Sequence, residues 1–200
     1  MKIVVATNNK DKLVQFRHFL CDNFELLTLQ QVGVYDIVEE TGTTLRENAF
    51  IKANHAYKKT NLPVVADDSG LCVDAMGGAP GVYSAEYGGG NSPQTLIRNM
   101  ELTDVERNNL LIQAMKRKNN RACHFACCLC LIMPDKPVIY FEAELHGELL
   151  HKPQGNGGFG YDPIVYLPKM RCSNAELPID KKMQISHRGQ AMRKLKEYLL

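Results

Sequence analysis

The sequence has almost no excess of charge of either sign. Its 24 basic side chains face 22 acidic ones over 200 residues, so neither a nucleic-acid nor a membrane partner is expected, and any anionic ligand must be held by locally placed cations. Long hydrophobic runs are also missing. No segment approaches the roughly 20 apolar residues of a membrane span, and the apolar stretch in MKIVVATNNK is far too short for a signal h-region, so a soluble, cytoplasmic protein is expected. No internal repeat, low-complexity tract or long linker interrupts the chain. That predicts a single domain over residues 1–200, with enough hydrophobic content (44%) to bury a real core; two small lobes around a cleft fit the same length. The pattern G-x-x-x-x-G-K-[ST] is absent throughout, which weakens the case for a P-loop nucleotide hydrolase.

Cysteine is present, but not as a disulfide framework. Seven is an odd number, and the spacing resembles no secreted scaffold. CHFACCLCLIM does contain a C-x-x-C, Cys127 to Cys130, close to His124, which suggests zinc. The segment reads as a buried strand, however, and residues three apart on a strand point to opposite faces. Small buried hydrophobes are the expected role.

The periodicity predicts a strand at residues 2–6, followed by a helix over 11–20 with Leu13, Phe16, Phe19 and Leu20 at helical spacing. Thr44 and Glu47 form a capping box opening a helix that runs to about Lys58, with Asn48, Lys52 and His55 off its apolar side. A strand at 63–66 ends in DDSG, and a loop-rich stretch follows. Helices are expected at 93–100 and 103–118. Strands at 121–133 and 138–149 are joined by the turn Pro134-Asp135-Lys136-Pro137 as a hairpin. A short strand at 164–167 and a helix over about 187–199 complete an α/β protein with a mixed sheet flanked by helices.

Five stretches carry chemistry. TNNKDK joins a strand to a helix N-terminus, where unpaired N–H groups attract an anion and Thr7, Asn9 and Lys12 add donors; helix capping with solvated lysines is the alternative. DDSG sits where open α/β sheets place ligands, and only one of Asp67 and Asp68 can face a given side. Glu39 and Glu40 in VEETG form a second acidic turn, so a carboxylate from each turn can hold Mg²⁺ with water completing the shell. GNGGFGYDP concedes backbone entropy for unusual dihedrals or close approach, and sets Phe159, Tyr161 and Asp162 beside that backbone as a stacking surface, a phenol and an acceptor for a flat heterocycle. DKKMQISHRG gathers Lys181, Lys182, His187 and Arg188 as the last helix begins. A basic start opposes the helix dipole, so these charges meet an anionic ligand or are solvated.

Taken together, TNNKDK, EETG, IKA, ADDSGLCVDAMGGAPGVYSA, GNGGFGYDP and ISHRGQA resemble the inosine triphosphate pyrophosphatase family, whose members hydrolyse noncanonical purine nucleoside triphosphates. The six blocks occur in order from position 7 to position 191. The resemblance implies an elongated mixed sheet in two lobes with an active cleft between them, a homodimer, and Mg²⁺ as cofactor. It puts the phosphate-binding turn on Thr7, Asn8, Asn9, Lys10, Asp11 and Lys12, with Asn9 and Lys12 most characteristic and Lys10 expected to face solvent. It puts the metal on Glu40 and Asp68, catalysis on Asp68, Lys12 and Lys52, and a substrate contact on Ser69. Base recognition falls on Phe159, Gly160, Tyr161 and Asp162, then Lys182, His187 and Arg188; since a cation at a helix start needs an acceptor opposite, Arg188 is expected to face the purine 6-oxo group. Two positions depart from the family pattern: Asn8, where many relatives carry glycine, and Glu86, often arginine in bacterial relatives. A pyrophosphatase for modified pyrimidine triphosphates and a non-catalytic nucleotide sensor are the competing readings.

Overall fold

The computed structural model describes residues 1–89 and 101–200; the helix expected at 93–100 lies outside them. Among the described residues, seven strands form one sheet in the order β2-β1-β3-β4-β5-β6-β7. These are β1 (Lys2–Val5), β2 (Glu25–Thr28), β3 (Val64–Val73), β4 (Ala122–Ile132), β5 (Ile139–Leu149), β6 (Val165–Leu167) and β7 (Cys172–Ser173). The sheet is mixed, as the pattern predicts: β1 pairs parallel with β2 and β3, while β6 pairs antiparallel with β5 and β7. The described α-helices are α1 (Lys10–Leu20), α2 (Leu45–Thr60), α3 (Asp104–Ala114), α4 (Ile179–Ile185) and α5 (His187–Leu199). None is long and apolar enough to cross a membrane.

The chain forms two compact units. The first comprises Met1–Asp68, Cys127–Ala143 and His187–Leu200; the second comprises Ser69–Ala126 and Glu144–Ser186.

In the first unit, strand alternation sorts the apolar residues into two cores. Ile3, Val5, Val65, Cys127, Leu129 and Leu131 pack with Phe16 and Leu20 of α1 and with Met192 and Leu195 of α5. Their sequence neighbours Val4, Val64, Ala66, Cys128 and Cys130 face the other way, against Ala49, Ala53 and Ala56 of α2. Each large side chain fully buried in this manner contributes about 1.5–3 kcal/mol. The alanine stripe on α2 brings that helix close to the sheet, with consequences for Lys52 below. Cys127 and Cys130 thus belong to opposite faces, and all seven cysteines are free thiols. In the second unit, Leu71, Val73, Phe125, Leu149, Tyr161, Ile164 and Val165 pack with Leu111 of α3.

One expected boundary is corrected. The strand predicted to end before DDSG instead continues through it, and Asp67 and Asp68 lie buried in the middle of β3. An unpaired carboxylate there would end the strand, because burying its charge is expensive; each of these two has a cation opposite. The sequence pattern also omits β2, β7 and α4, and extends α3 to 118, where the helix ends at Ala114.

Candidate active site

In the first unit, α1 starts at the TNNKDK turn. The Asn9 side chain caps it by accepting from the Lys12 N–H at 3.0 Å, and Thr7 Oγ1 accepts from the Asn9 N–H at 3.2 Å. This places Lys12 on the first turn, with its ammonium paired to Asp67 Oδ1. The other oxygen, Oδ2, accepts from Arg188 Nε at 2.8 Å and from the Cys127 thiol at 3.2 Å. Arg188 also donates from Nη1 to Gln15 Oε1 at 3.1 Å. The Asp67 side chain is 0% exposed. Burial alone would raise its pKa, but Arg188 and Lys12 outweigh it and hold the carboxyl well below the usual range. The cation at the start of α5 therefore has its counter-charge inside the chain. Of the turn's remaining candidates, Asn8, Lys10 and Asp11 are exposed.

One residue on, Asp68 points to the opposite face of β3, as the two-residue period requires. There Lys52 donates to Asp68 Oδ1 at 2.6 Å and to Glu40 Oε2 at 2.7 Å. Burial would lower the pKa of Lys52, yet Asp68 and Glu40 prevail and raise it, so it stays an ammonium. Burial pushes Asp68 up to about 6 against the opposing pull of Lys52. Its Oδ2 is buried and has no hydrogen-bond partner among the described residues. Glu40 reaches Lys52 from the EETG turn, which is closed by the Gly42 N–H on Asn48 Oδ1 at 2.8 Å. A Cβ at Gly42 would sit 2.5 Å from that oxygen, so the turn requires glycine. Beyond it, the Thr44–Glu47 capping box forms as predicted. Glu39 is exposed.

In the second unit, the GNGGFGYDP loop is held by the protein's own groups. Asp162 Oδ2 accepts from the Phe159 N–H at 3.0 Å and from the Lys182 ammonium, while Oδ1 accepts from Asn174 Nδ2 at 2.6 Å. Gly158 adopts φ +77°, and a Cβ there would lie 2.1 Å from Asp162 Oδ2 and 2.3 Å from Lys182 Nζ; the glycine leaves room for this ion pair. Tyr161 is buried and donates its phenol to the Ser84 carbonyl at 2.7 Å. Phe159 and Ser69 are half-buried, Lys181 is exposed, and His187, in the first unit, is buried at the start of α5.

The structure thus gathers the candidates into three clusters: Lys12 with Asp67 and Arg188, Lys52 with Glu40 and Asp68, and Phe159 with Asp162 and Lys182. The sequence pattern does not single out Gln15, Asp104, Asn108 or Asn174, and it marks Cys127 only as a buried hydrophobe, not as a donor to Asp67. Only Asp104 and Asn108 leave a signal, one helical turn apart at the start of the helix that the Thr103–Glu106 capping box opens.

The Ham1 family model matches residues 3–198. The dITP/XTP pyrophosphatase of Gloeobacter violaceus is 45% identical, over 96% of this chain and 91% of its own. That of Photorhabdus laumondii is 41% identical, over 99% and 98%. Among solved structures, a HAM1 protein from Coxiella burnetii superposes with a TM-score of 0.89 at 39% identity, covering 100% of this chain and 98% of that one. With the family pattern matched almost end to end and the fold shared, the chain belongs to the Ham1 family.

Proposed function

We propose that this protein hydrolyses noncanonical purine nucleoside triphosphates (ITP, dITP and XTP) to the nucleoside monophosphate and pyrophosphate. The observation that carries the reading is the half-buried Lys52 ammonium shared between Glu40 and Asp68, with one Asp68 oxygen left without a partner among the described residues. The relatives named dITP/XTP pyrophosphatase support the substrate class.

The donor set fits a hard divalent cation, which we take to be Mg²⁺. Asp68 Oδ2 is an unsatisfied acceptor, and the Glu40 side chain is 42% exposed with only Oε2 on Lys52. Among the described residues no group of three His, Cys, Asp or Glu side chains gathers to hold a metal, consistent with an ion that keeps waters and takes phosphate oxygens beside one or two carboxylates. When bound on Glu40 and Asp68, the ion supplies charge neutralisation at the phosphates.

The protein's own groups supply the rest. Lys12 and Lys52 stabilise negative charge as it develops on the phosphate oxygens, and the Asn9-capped start of α1 offers backbone N–H groups to a terminal phosphate. Asp68 orients a water and takes its proton as the water oxygen attacks the α-phosphorus. The bond from that phosphorus to the α-β bridging oxygen breaks, and pyrophosphate leaves with the electron pair. Ser69, Phe159, Gly160, Tyr161, Asp162, Lys182 and His187 serve substrate recognition, Phe159 by stacking on the base. Arg188 is assigned there as well, with its Nε held by Asp67.

Pyrophosphate release from ITP, XTP and dITP, with ATP and dUTP for comparison, tests the reading. Much higher kcat/KM for the 6-oxo purines is expected; a preference for dUTP, or no release from any of them, overturns it. Lys12→Ala is expected to lower turnover strongly while Lys10→Ala changes little, since Lys10 is exposed and Lys12 faces Asp67. Equal losses from the two would refute this register.

Cation binding should also depend on pH. Asp68 holds its proton up to about pH 6, and the ion requires the carboxylate, so affinity should rise with pH through about 6 and level off above it. Calorimetry in buffers of different ionisation enthalpy should show proton release on Mg²⁺ addition near pH 6 and none in Asp68→Asn. Affinity that is flat between pH 5 and 7 counts against the assignment.

A further inference from the structure

Gly160, next to Phe159, is gripped at both of its backbone polar groups by one helix. Its N–H donates to Asp104 Oδ2 at 2.6 Å, and its carbonyl accepts from Asn108 Nδ2 at 3.0 Å. Asp104 and Asn108 are four apart on α3 and so share a face. Each is itself held. The Thr103–Glu106 capping box fixes the helix start, Arg107 pairs with the other Asp104 oxygen, and Asn108 is buried. Gly160 adopts φ +61° with nothing within 4 Å of a Cβ position, so its conformation, rather than crowding, calls for glycine. On the other side, the Phe159 N–H is tied to Asp162. The aromatic residue is therefore pinned from both directions along the chain.

We propose that Asp104 and Asn108 are positioning residues for base selectivity, acting through Gly160 to fix the backbone that presents Phe159. The inference rests on the reading that this loop recognises the base. A purely structural role would lower stability and depress turnover of every nucleotide alike. A positioning role predicts a narrower effect, because discrimination depends on placement of the base in the transition state.

The test compares wild type with Asn108→Leu, Asp104→Leu and Asp104→Asn, the last keeping an acceptor for the Gly160 N–H. The measurements are kcat and KM for ITP and ATP, and inhibition by inorganic triphosphate, which has no base. The leucine variants should raise KM for ITP about tenfold and reduce the ITP-to-ATP ratio of kcat/KM by about as much. Their kcat and their inhibition by triphosphate should stay near wild type, as should Asp104→Asn in every respect. An unchanged ratio, or equal loss for both nucleotides together with weaker triphosphate inhibition, overturns the proposal. If the leucine variants fail to fold, Asn108→Asp decides, since it keeps the shape while replacing the donor facing the Gly160 carbonyl by an acceptor. Wild type that releases no pyrophosphate from ITP would instead refute the reading of the site, an outcome separable from an unchanged ratio in active variants.

Discussion

Asp68→Asn is expected to lower ITP turnover by at least about 100-fold, the scale on which a general base contributes, while the circular dichroism spectrum stays that of the wild type. The substitution is nearly isosteric, but it removes the negative charge from Asp68 Oδ2, an oxygen that is buried and has no hydrogen-bond partner among the described residues. Two losses coincide at this atom. The amide cannot take a proton from water, and it is a poorer ligand for a hard cation. Raising Mg²⁺ should recover the part of the defect that comes from weaker binding and leave the part that comes from the missing base, so kcat at saturating Mg²⁺ is the discriminating quantity. Turnover near wild type under those conditions would show that Asp68 is not the base.

The second large effect is on stability. Asp67→Ala should destabilise the protein by about 3–5 kcal/mol, the cost of removing one member of a buried ion pair and leaving the rest uncompensated. The cost is this large because Asp67 is fully buried and answers two cations at once, Lys12 on one oxygen and Arg188 on the other. Without it, the ammonium of Lys12 and the guanidinium of Arg188 face each other across an apolar core. The urea midpoint should fall markedly, and Asp67→Ala combined with Arg188→Met should regain part of the loss. The folded-state pKa of Asp67 is depressed, so its stabilising contribution is complete above the ordinary carboxylate value and is lost as pH falls through the lower folded value. The gap between wild type and Asp67→Ala should be full at pH 7 and close in strong acid. A gap of the same size in strong acid, or a midpoint unmoved at pH 7, would mean that the triad does not hold the core together.

These two neighbouring residues also show how far a sequence can be read. The final helix, α5, starts at His187 and ends at Leu199, within the span its pattern predicts, because amphipathic spacing is local information. The capping box at Thr44 is local too, and the β4–β5 hairpin announces itself through its prolines. Lys12, Glu40, Lys52 and Asp68 stand out in their motifs. The continuation of β3 through DDSG does not, since carboxylates disfavour a buried strand unless cations come to meet them, and those cations come from positions 12, 52 and 188. Only the folded chain brings them there. The partners of Asp162 are hidden for a related reason: Lys182 and Asn174, which donate to its carboxylate, are distant from it in sequence. Four-residue β2 and two-residue β7 are too short to establish a period.

Lys52 rides on the helix whose inner face is Ala49, Ala53 and Ala56, all fully buried against the sheet. Its reach to Asp68 is limited by the length of a lysine arm, so the separation of α2 from β3 works as a caliper set by methyl groups. A larger residue at Ala53 would open that caliper and draw the ammonium away from the carboxylate without altering any polar atom of the site. Three alanines with no chemistry of their own thereby become as restricted in what may replace them as the lysine they carry.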